Sequence, residues 1–321
     1  MTVNNNLTGD AALGGAVYDP SSGNVFIDDY LFNYSSTCEP SASNQLGVCG
    51  FLYAVKASTG AVTQSHQLDY NLGIYDSPII DSSAGQVYAF VGSDNSTACS
   101  SGPCAAVYQF PVGFTSNATG TEATVGPGYE FLMSGAFDNQ YFTSSNPASP
   151  SGHLYVVGGT GPQNNTLYAI TISGNVMTSG PATVGPVVAT NYTNSYYAAG
   201  LQVTEFCNNG SNACTASTGA DYIFLSVLAF GTPTGATACG TTPQSVSIGC
   251  VLGFTAPNTS GVILSTATPN GTLAEAGGTS GVVIDNGASG ASNIYFSTLL
   301  NQSCTVGTGG CAVSATQSAL H

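Results

Sequence analysis

Two short apolar segments, separated by a polar turn that contains glycine, recur as a pair along this chain. The second segment of each pair carries an aromatic residue, and these markers are Phe26, Tyr88, Tyr155, Phe224 and Tyr295. They follow one another at intervals of 62, 67, 69 and 71 residues. A period of this kind indicates a repeat architecture in which each repeat is one supersecondary unit. Five repeats account for all 321 residues.

Each repeat continues with a third apolar segment and a more polar fourth one, as in 51–55 and 60–65 of the first repeat. Short apolar runs bounded by Gly, Ser and Asn are typical of strands, and no segment shows helical periodicity. Four antiparallel strands per repeat predict an all-β fold, a β-propeller with five four-stranded blades.

We expect a single domain over residues 1–321. The predicted blades are residues 10–72, 73–127, 128–186, 187–272 and, last, 273–321 together with 1–9. The fifth repeat ends after its third strand, so we predict that the N-terminal strand completes the last blade. Such closure removes unpaired strand edges. The alternative is an open array, whose free edge accepts a strand from a second copy and polymerises.

The ten cysteines form five close sequential pairs in polar stretches. The pairs are Cys38 with Cys49, Cys99 with Cys104, Cys207 with Cys214, Cys239 with Cys250, and Cys304 with Cys311. Zinc sites favour shorter Cys-x2–4-Cys spacings, so we predict disulfides. Four of them fall between the second and third strands of a repeat, and Cys207 with Cys214 falls between the first and second. Disulfides predict an extracellular or cell-surface location.

The charge balance excludes whole classes of partner. A single basic side chain, Lys56, stands against 16 acidic ones, and only 5% of residues are charged. No basic patch exists to neutralise phosphates, which excludes nucleic acid and anionic membranes as electrostatic partners. No apolar run approaches the about 20 residues that span a bilayer. The N-terminal segment lacks the basic and apolar parts of a secretion signal, so we interpret the sequence as a mature or recombinant form.

The chain also contains ten Asn-x-Ser/Thr acceptor sequences, which predict a glycosylated surface. They begin at Asn6, Asn33, Asn95, Asn117, Asn164, Asn191, Asn209, Asn258, Asn270 and Asn301.

Segment 52–62 reads Leu-Tyr-Ala-Val-Lys-Ala-Ser-Thr-Gly-Ala-Val. It resembles the blade motif of quinoprotein-type (pyrroloquinoline-quinone-like) repeat propellers, which is roughly Leu-Tyr-Ala-Leu-Asp-Ala-x-Thr-Gly followed by Trp. Segment 167–170 with the later Ser173 and Gly174 is a looser match. The resemblance implies propeller architecture. The chain has no Trp and Lys56 takes the place of the usual acid, so we expect no quinone and no other cofactor.

Recurrent acidic residues are the first candidates for chemistry. Asp19, Asp81, Asp138 and Asp285 end the first strand of their repeats. Five-bladed propellers include glycoside hydrolases with carboxylates around a central cavity, and such hydrolysis needs two carboxyl groups about 5–10 Å apart. Asp at a strand end also caps a turn through its own backbone, and we prefer this turn role.

The other candidates are weaker. Asp28 and Asp29 could begin a calcium site, but no Asp-x-Asp-x-Asp loop follows, so we expect a solvated pair and no metal. The histidines, His66, His153 and His321, lie near no Ser or Cys nucleophile motif, and His153 is expected at the rim of a blade. Tyrosine is enriched at recognition surfaces, so Tyr192, Tyr196 and Tyr197 are a candidate ligand patch.

These features predict a secreted or cell-surface β-propeller without catalysis, acting as a structural or adhesive module. A subunit of an extracellular fibre or coat is its concrete form, with copies of itself or other extracellular surface components as partners. A lectin-like propeller that binds glycans is the alternative. A five-bladed glycoside hydrolase is the second alternative.

Overall fold

The computed structural model describes residues 11–31, 49–71, 73–94, 96, 98–99, 102–128, 131–161, 164–190, 202–209, 214–215, 218–227, 232–233, 249–257, 262–275, 277–285 and 293–317. Within these residues the regular secondary structure is strand apart from one four-residue helix, and the all-β prediction is confirmed. None of the helices in these ranges is long and apolar enough to cross a membrane.

The strands are short and follow one another closely in the chain. They are β1 (Ala11–Leu13), β2 (Val17–Asp19), β3 (Asn24–Leu31), β4 (Leu52–Lys56), β5 (Val62–Gln64), β6 (Ile79–Asp81), β7 (Gln86–Asp94), β8 (Cys104–Pro111), β9 (Thr121–Pro127), β10 (Ala136–Phe137), β11 (Gly152–Gly161), β12 (Asn164–Ser173), β13 (Val176–Met177), β14 (Gly180–Pro181), β15 (Thr183–Thr190), β16 (Val203–Asn208), β17 (Ala220–Val227), β18 (Thr232–Pro233), β19 (Cys250–Ala256), β20 (Gly271–Ala274), β21 (Val283–Asp285), β22 (Asn293–Ser297), β23 (Gln302–Ser303), β24 (Thr308–Gly309) and β25 (Ala312–Thr316). One short helix, α1 (Asn139–Phe142), follows β10.

Consecutive strands pair with one another, which gives five sheets in chain order. Sheet I contains β1 to β5, and sheet II contains β6 to β9 with β14. Sheet III contains β10, β11, β12, β15 and β18, with β13 paired to β12. Sheet IV contains β16, β17, β19 and β20, and sheet V contains β21, β22 and β25. The pairings are antiparallel except that β14 pairs parallel with β9. Strands β23 and β24 form a separate hairpin.

The first hairpins of sheets I, II and V share one register. Asp19, Asp81 and Asp285 each pair with the residue two before the aromatic marker of their repeat. In sheets I and II the turn is closed by a glycine with positive φ, 66° at Gly23 and 67° at Gly85, a conformation that side chains disfavour. The sequence repeat is therefore also a repeat of backbone geometry.

The chain divides into two compact units. Unit 1 comprises residues 1–134, 146–149 and 173–182 and contains sheets I and II. Unit 2 comprises 135–145, 150–172 and 183–321 and contains sheets III, IV and V. The prediction of a single closed domain, with its blade boundaries, stays a prediction, and residues 1–10 lie outside the described part.

In unit 1, sheets I and II bury a common core. Phe26 and Leu52 of sheet I pack with Val87, Ala89 and Phe110 of sheet II, all fully buried. Burying each large apolar side chain stabilises the fold by about 1.5–3 kcal/mol. This face-to-face packing joins two consecutive repeats.

In unit 2, sheet IV is covered on both faces because the side chains of β17 alternate. Ile223 and Leu225 point into a core shared with sheet III, while Phe224 points into one shared with Ile294 and Phe296 of sheet V. Residues on both faces are buried, so β17 reads as a nearly continuous apolar run.

Three disulfides lie within the described part, and all three join sequential neighbours. Cys99–Cys104 links the loop between β7 and β8, Cys207–Cys214 lies between β16 and β17, and Cys304–Cys311 brackets the β23–β24 hairpin. These are the pairs and strand positions that the sequence predicts. Cys49 and Cys250 are also disulfide-bonded, and their predicted partners, Cys38 and Cys239, lie outside the described residues.

Candidate functional site

A cluster of buried carboxyl groups in unit 2 is the strongest concentration of titratable groups in the described part of the chain. Asp138 lies between β10 and α1, in extended backbone, and caps the helix: its Oδ1 accepts hydrogen bonds from the backbone N–H of Tyr141 (2.9 Å) and of His153 (3.0 Å). Its Oδ2 lies 2.8 Å from Nδ1 of His153. This cap explains why α1 forms although the sequence shows no helical periodicity.

Two further carboxyl groups reach the cluster from the β16–β17 hairpin. Glu205 pairs with Ile223 across the hairpin, so Asp221, two residues before Ile223, is its diagonal neighbour on the same face. The carboxyl group of Glu205 hydrogen-bonds that of Asp221. Oδ2 of Asp221 also accepts a hydrogen bond from the backbone N–H of Asn139, at 3.0 Å, which ties the hairpin to α1.

Burial governs the protonation of this pair. Burial raises the pKa of Glu205 to about 10, helped by the hydrogen bond to Asp221 and the charges of Asp221 and Asp138. Burial also raises the pKa of Asp221, and it outweighs the hydrogen bonds from Glu205 and Asn139 that lower it. Two carboxyl groups in contact cannot both be ionised without strong repulsion, so at neutral pH the pair holds one proton.

Tyr155 completes the cluster. Its pKa is raised by burial and by the charges of Asp138, Asp221 and Glu205. Glu205 Oε1 and Asp221 Oδ1 have no donor among the described residues. A proton on Glu205 removes one of the two buried negative charges, which fits its raised pKa.

Most of the cluster is shielded from solvent. Asp138 and Tyr155 are each 1% exposed, Asp221 is 3% exposed and His153 is 8% exposed, whereas Glu205 is partly exposed. Asp138 and Asp221 accept hydrogen bonds from backbone N–H groups of Tyr141, His153 and Asn139. The arrangement therefore holds β10 and α1 against β16 and β17.

A second carboxyl pair lies in unit 1. Asp94, Glu122 and the sulfurs of Cys99 and Cys104 offer ligand atoms within 4.8 Å of one another, a spacing that suits a metal. Both sulfurs belong to one disulfide, however, and thiolates rather than disulfides bind metals. Oγ of Ser96 donates to both oxygens of Glu122, at 3.0 and 2.9 Å. Burial and the charge of Asp94 raise the pKa of Glu122 to about 7.

The recurrent aspartates serve turns. Asp19 accepts from the backbone N–H groups of Ser21 and Ser22, and Asp81 accepts from those of Ser83 and Ala84. Burial alone raises the pKa of Asp19, but hydrogen bonds from Ser22, Ser82 and Ser21 outweigh it and hold that pKa below its usual range. The turn role is confirmed for Asp19 and Asp81, whereas Asp138 caps helix α1. Asp285 occupies the same register position and is exposed.

Two expectations are wrong. Asp28 and Asp29 are not a solvated pair: they point to opposite faces of β3, and both are fully buried. His153 is not a rim residue, because its ring packs against the buried Asp138. His66 is exposed, with Nδ1 2.8 Å from the carbonyl oxygen of Gln67.

Several predicted sites lie outside the described residues. They are Tyr192, Tyr196, Tyr197 and His321, and the sequons at Asn6, Asn33, Asn95, Asn191 and Asn258. Among the described sequons, Asn117, Asn270 and Asn301 are exposed, and Asn164 and Asn209 are partly exposed. Occupancy of the sequons stays a prediction.

Sequence reasoning missed Glu205, Asp221, Asp94 and Glu122. One signal was present in the sequence. Each is an acidic residue within or beside an apolar strand, in a chain that has only 16 acidic residues.

Comparison with known proteins gives no family: no protein-family model, no curated protein and no solved structure matches this chain. The quinoprotein resemblance therefore stays a prediction, and function must be argued from the residues themselves.

Proposed function

We propose that this protein is a secreted or cell-surface structural module without catalysis, folded as a five-bladed β-propeller in which sheets I to V are the blades. Its role is to assemble, with copies of itself or with other extracellular surface components, into a fibre or coat. The proposal rests on the recurrence of one hairpin geometry in sheets I, II and V, together with the face-to-face packing of consecutive sheets within each unit.

The packing supports blades rather than a pair of sheets. Sheet I packs on sheet II in unit 1, and sheet IV packs on sheet III with one face and on sheet V with the other in unit 2. Consecutive four-stranded meanders stacked in series are the building principle of a propeller. Closure of the ring through residues 1–9 is part of the proposal.

The residues that recur are used by the fold itself. Asp19 and Asp81 accept backbone hydrogen bonds within their own turns, and Asp138 caps α1. A hydrolase would need two such carboxylates facing a common cavity. Their turn contacts therefore favour a structural role over the glycoside hydrolase alternative.

The surface chemistry suits an extracellular material. With a net charge of −15 and one basic side chain, the chain offers few cleavage positions to proteases that require Lys or Arg. The one cation, Lys56, is exposed and donates to the carbonyl oxygen of Ser22 in the neighbouring turn. Local disulfides stiffen the loops between strands.

The test is negative-stain electron microscopy combined with sedimentation over a range of protein concentrations, on protein isolated from its natural source. We expect fibres or lattices at high concentration whose subunits are discs with five blades. A protein that stays monomeric at every concentration overturns the assembly role. Disc images with another number of blades overturn the architecture.

One observation favours the lectin-like alternative. The ring of Tyr75, 41% exposed, lies 5.3 Å from the ring of Tyr30 and 4.7 Å from that of Phe131. Exposed aromatic groups are common at recognition surfaces and stack on sugars. Glycan-array binding that is lost in Tyr75→Ala and kept in Tyr18→Ala, another exposed tyrosine, would establish this function. An array without signal dismisses it.

A further inference from the structure

Asp28 differs from the other buried aspartates in the described part of unit 1, because its carboxylate has no hydrogen-bond donor there. It lies in β3, between β1 and β4, and is 0% exposed. Neither of its carboxylate oxygens has a hydrogen-bond donor among the described residues. Burying an ionised carboxylate without a partner costs several kcal/mol, so such a group calls for a positive partner or a proton.

Other buried aspartates of unit 1 have donors. Oδ1 of Asp29 accepts from the backbone N–H groups of Gly50 and Phe51, both at 2.8 Å, and its Oδ2 accepts from the hydroxyl of Tyr53 at 2.8 Å. Asp69 accepts three backbone N–H groups at 2.8–3.0 Å. These side chains are held as anions by donors, and Asp28 is not.

The charges nearest to Asp28 have the wrong sign to neutralise it. Burial raises the pKa of Asp28, and the negative charges of Asp29 and Asp76 raise it further. The chain's one basic side chain, Lys56, donates to Ser22 at the solvent-exposed end of the β2–β3 turn. No side chain of this protein therefore supplies the missing positive charge in the described part of unit 1.

Asp76 supplies the second carboxylate. A Cβ on Gly14 would meet Asp28 Oδ1 and a Cβ on the next residue, Gly15, would meet Ser77 Oγ, so Asp28 and the Asp76–Ser77 segment lie against two consecutive glycines. Oδ1 of Asp76 accepts from the backbone N–H of Ser77 at 2.9 Å, and its Oδ2 accepts from that of Ser134 at 2.7 Å. Each of these oxygens retains a lone pair, because a carboxylate has about four acceptor positions. Asp76 is partly exposed, which gives an ion a path from solvent.

The backbone makes room for the Asp28 carboxylate. A Cβ on Gly14 would lie 1.8 Å from Asp28 Oδ1, so the carboxylate occupies space that a side chain at position 14 would need. The N–H of Gly14 donates to the backbone carbonyl of Asp28 at 2.8 Å and so does not serve the side chain. The glycine at position 14 therefore leaves space for the Asp28 carboxylate but gives it no hydrogen bond.

We propose that Asp28 and Asp76 bind a hard divalent cation, for which calcium is the appropriate probe. Calcium prefers carboxylate and carbonyl oxygens, takes six to eight of them, and accepts water in the remaining positions. Two carboxylates balance its charge, and the buried unpartnered carboxylate of Asp28 is the ligand that the fold leaves for it.

The experiment uses the full chain with its disulfides intact. Protein is treated with EDTA, exchanged into metal-free buffer at pH 7 and titrated with calcium chloride by calorimetry, while thermal unfolding is followed by circular dichroism. We expect one tight site per chain and a Tm that rises with calcium concentration, because an ion that binds only the folded state stabilises it by mass action.

Three variants test the assignment. Asp28→Asn should lower the affinity on the order of 100-fold, and Asp76→Asn should weaken it by about tenfold or more. Asp81→Asn, a turn carboxylate of sheet II, is the matched control and should bind like wild type. In EDTA, Asp28→Asn should unfold at a temperature no lower than wild type, because it removes an unpaired buried charge.

Two results overturn the proposal. The first is wild-type protein with neither calcium-dependent heat nor a calcium-dependent Tm. The second is an Asp28→Asn protein that binds calcium as wild type does. Calcium would then be attracted nonspecifically by the net charge of −15. If Asp28→Asn fails to fold, the Asp76→Asn affinity decides by the same criterion.

Discussion

Glu205→Gln should make the protein less sensitive to alkaline pH. In the folded protein Glu205 is largely withdrawn from solvent beside Asp221, and its pKa is raised to about 10 from an ordinary value of 4.5. In the unfolded chain it ionises near its ordinary value. A glutamine keeps the neutral hydrogen bond, since its amide N–H can donate to Asp221, but it has no proton to lose.

The sign and size follow from proton linkage. The folded state binds the Glu205 proton more tightly than the unfolded state, so the stability it gives is fully present below about pH 4.5 and is lost as the pH rises toward 10. Each pH unit in that interval costs about 1.4 kcal/mol. From pH 4.5 to pH 7, the Glu205 contribution to the free energy of unfolding should fall by about 3 kcal/mol.

Glu122→Gln provides a matched comparison. The pKa of Glu122 is raised only to about 7, by burial and by the charge of Asp94. Its contribution therefore falls between about pH 4.5 and 7 and changes little beyond. Between pH 7 and 9 wild type and Glu122→Gln should lose stability in parallel. Over the same interval the free energy of unfolding of Glu205→Gln should rise by about 3 kcal/mol relative to both.

The assay is equilibrium unfolding in guanidinium chloride at pH 4.5, 7 and 9, followed by circular dichroism because the chain has no Trp. The exposed Asp285→Asn serves as the control for a carboxyl group in solvent. If the difference between wild type and Glu205→Gln is the same at all three pH values, Glu205 is not a buried neutral acid and the account of the cluster fails.

Three further changes test the fold by the same unfolding assay. Gly50→Ala should destabilise the fold by about 2–4 kcal/mol, because φ is 85° and a Cβ would lie 2.2 Å from the Asp69 carbonyl oxygen. Gly85→Ala, which also has positive φ but open space around it, should cost about 1 kcal/mol. Equal losses in the two variants would refute the clash at Gly50. The double change Cys207→Ser with Cys214→Ser should cost about 2.5 kcal/mol for a loop of this length, and an unchanged midpoint would show that the bond adds nothing. Phe26→Ala should cost about 3–5 kcal/mol, and a loss below 1 kcal/mol would contradict the packing of sheet I on sheet II.

Local sequence is sufficient for the hairpins because each depends on residues close in the chain. Asp19, the turn after it and Phe26 lie within eight residues, and strand alternation places Phe26 in the core. The disulfides are equally local, as in Cys304–Cys311. The repeated pattern of Asp, turn and aromatic residue therefore predicts the register in which its two strands pair.

The carboxyl groups could not be predicted in the same way, because their surroundings come from distant segments. Its residue type predicts a solvent-facing Asp28, yet the residue is fully buried and Gly14 lies beside its carboxylate. Glu205 meets Asp221 only through the register of β16 with β17, and Asn139 joins them from 82 residues before Asp221. The exposure of a polar residue can be inferred from the local sequence only where no distant segment packs over it.

The parallel pairing of β14 with β9 has a consequence for the order in which the protein is made. Unit 1 includes residues 173–182, whereas residues 135–145 and 150–172 belong to unit 2. During synthesis from the N-terminus, the outer edge of β9 stays uncovered until Gly180 and Pro181 have emerged, when β11 and β12 are already present. Cutting the chain after residue 134 therefore yields an N-terminal piece that lacks its last strand, so the two units cannot be produced as independent halves.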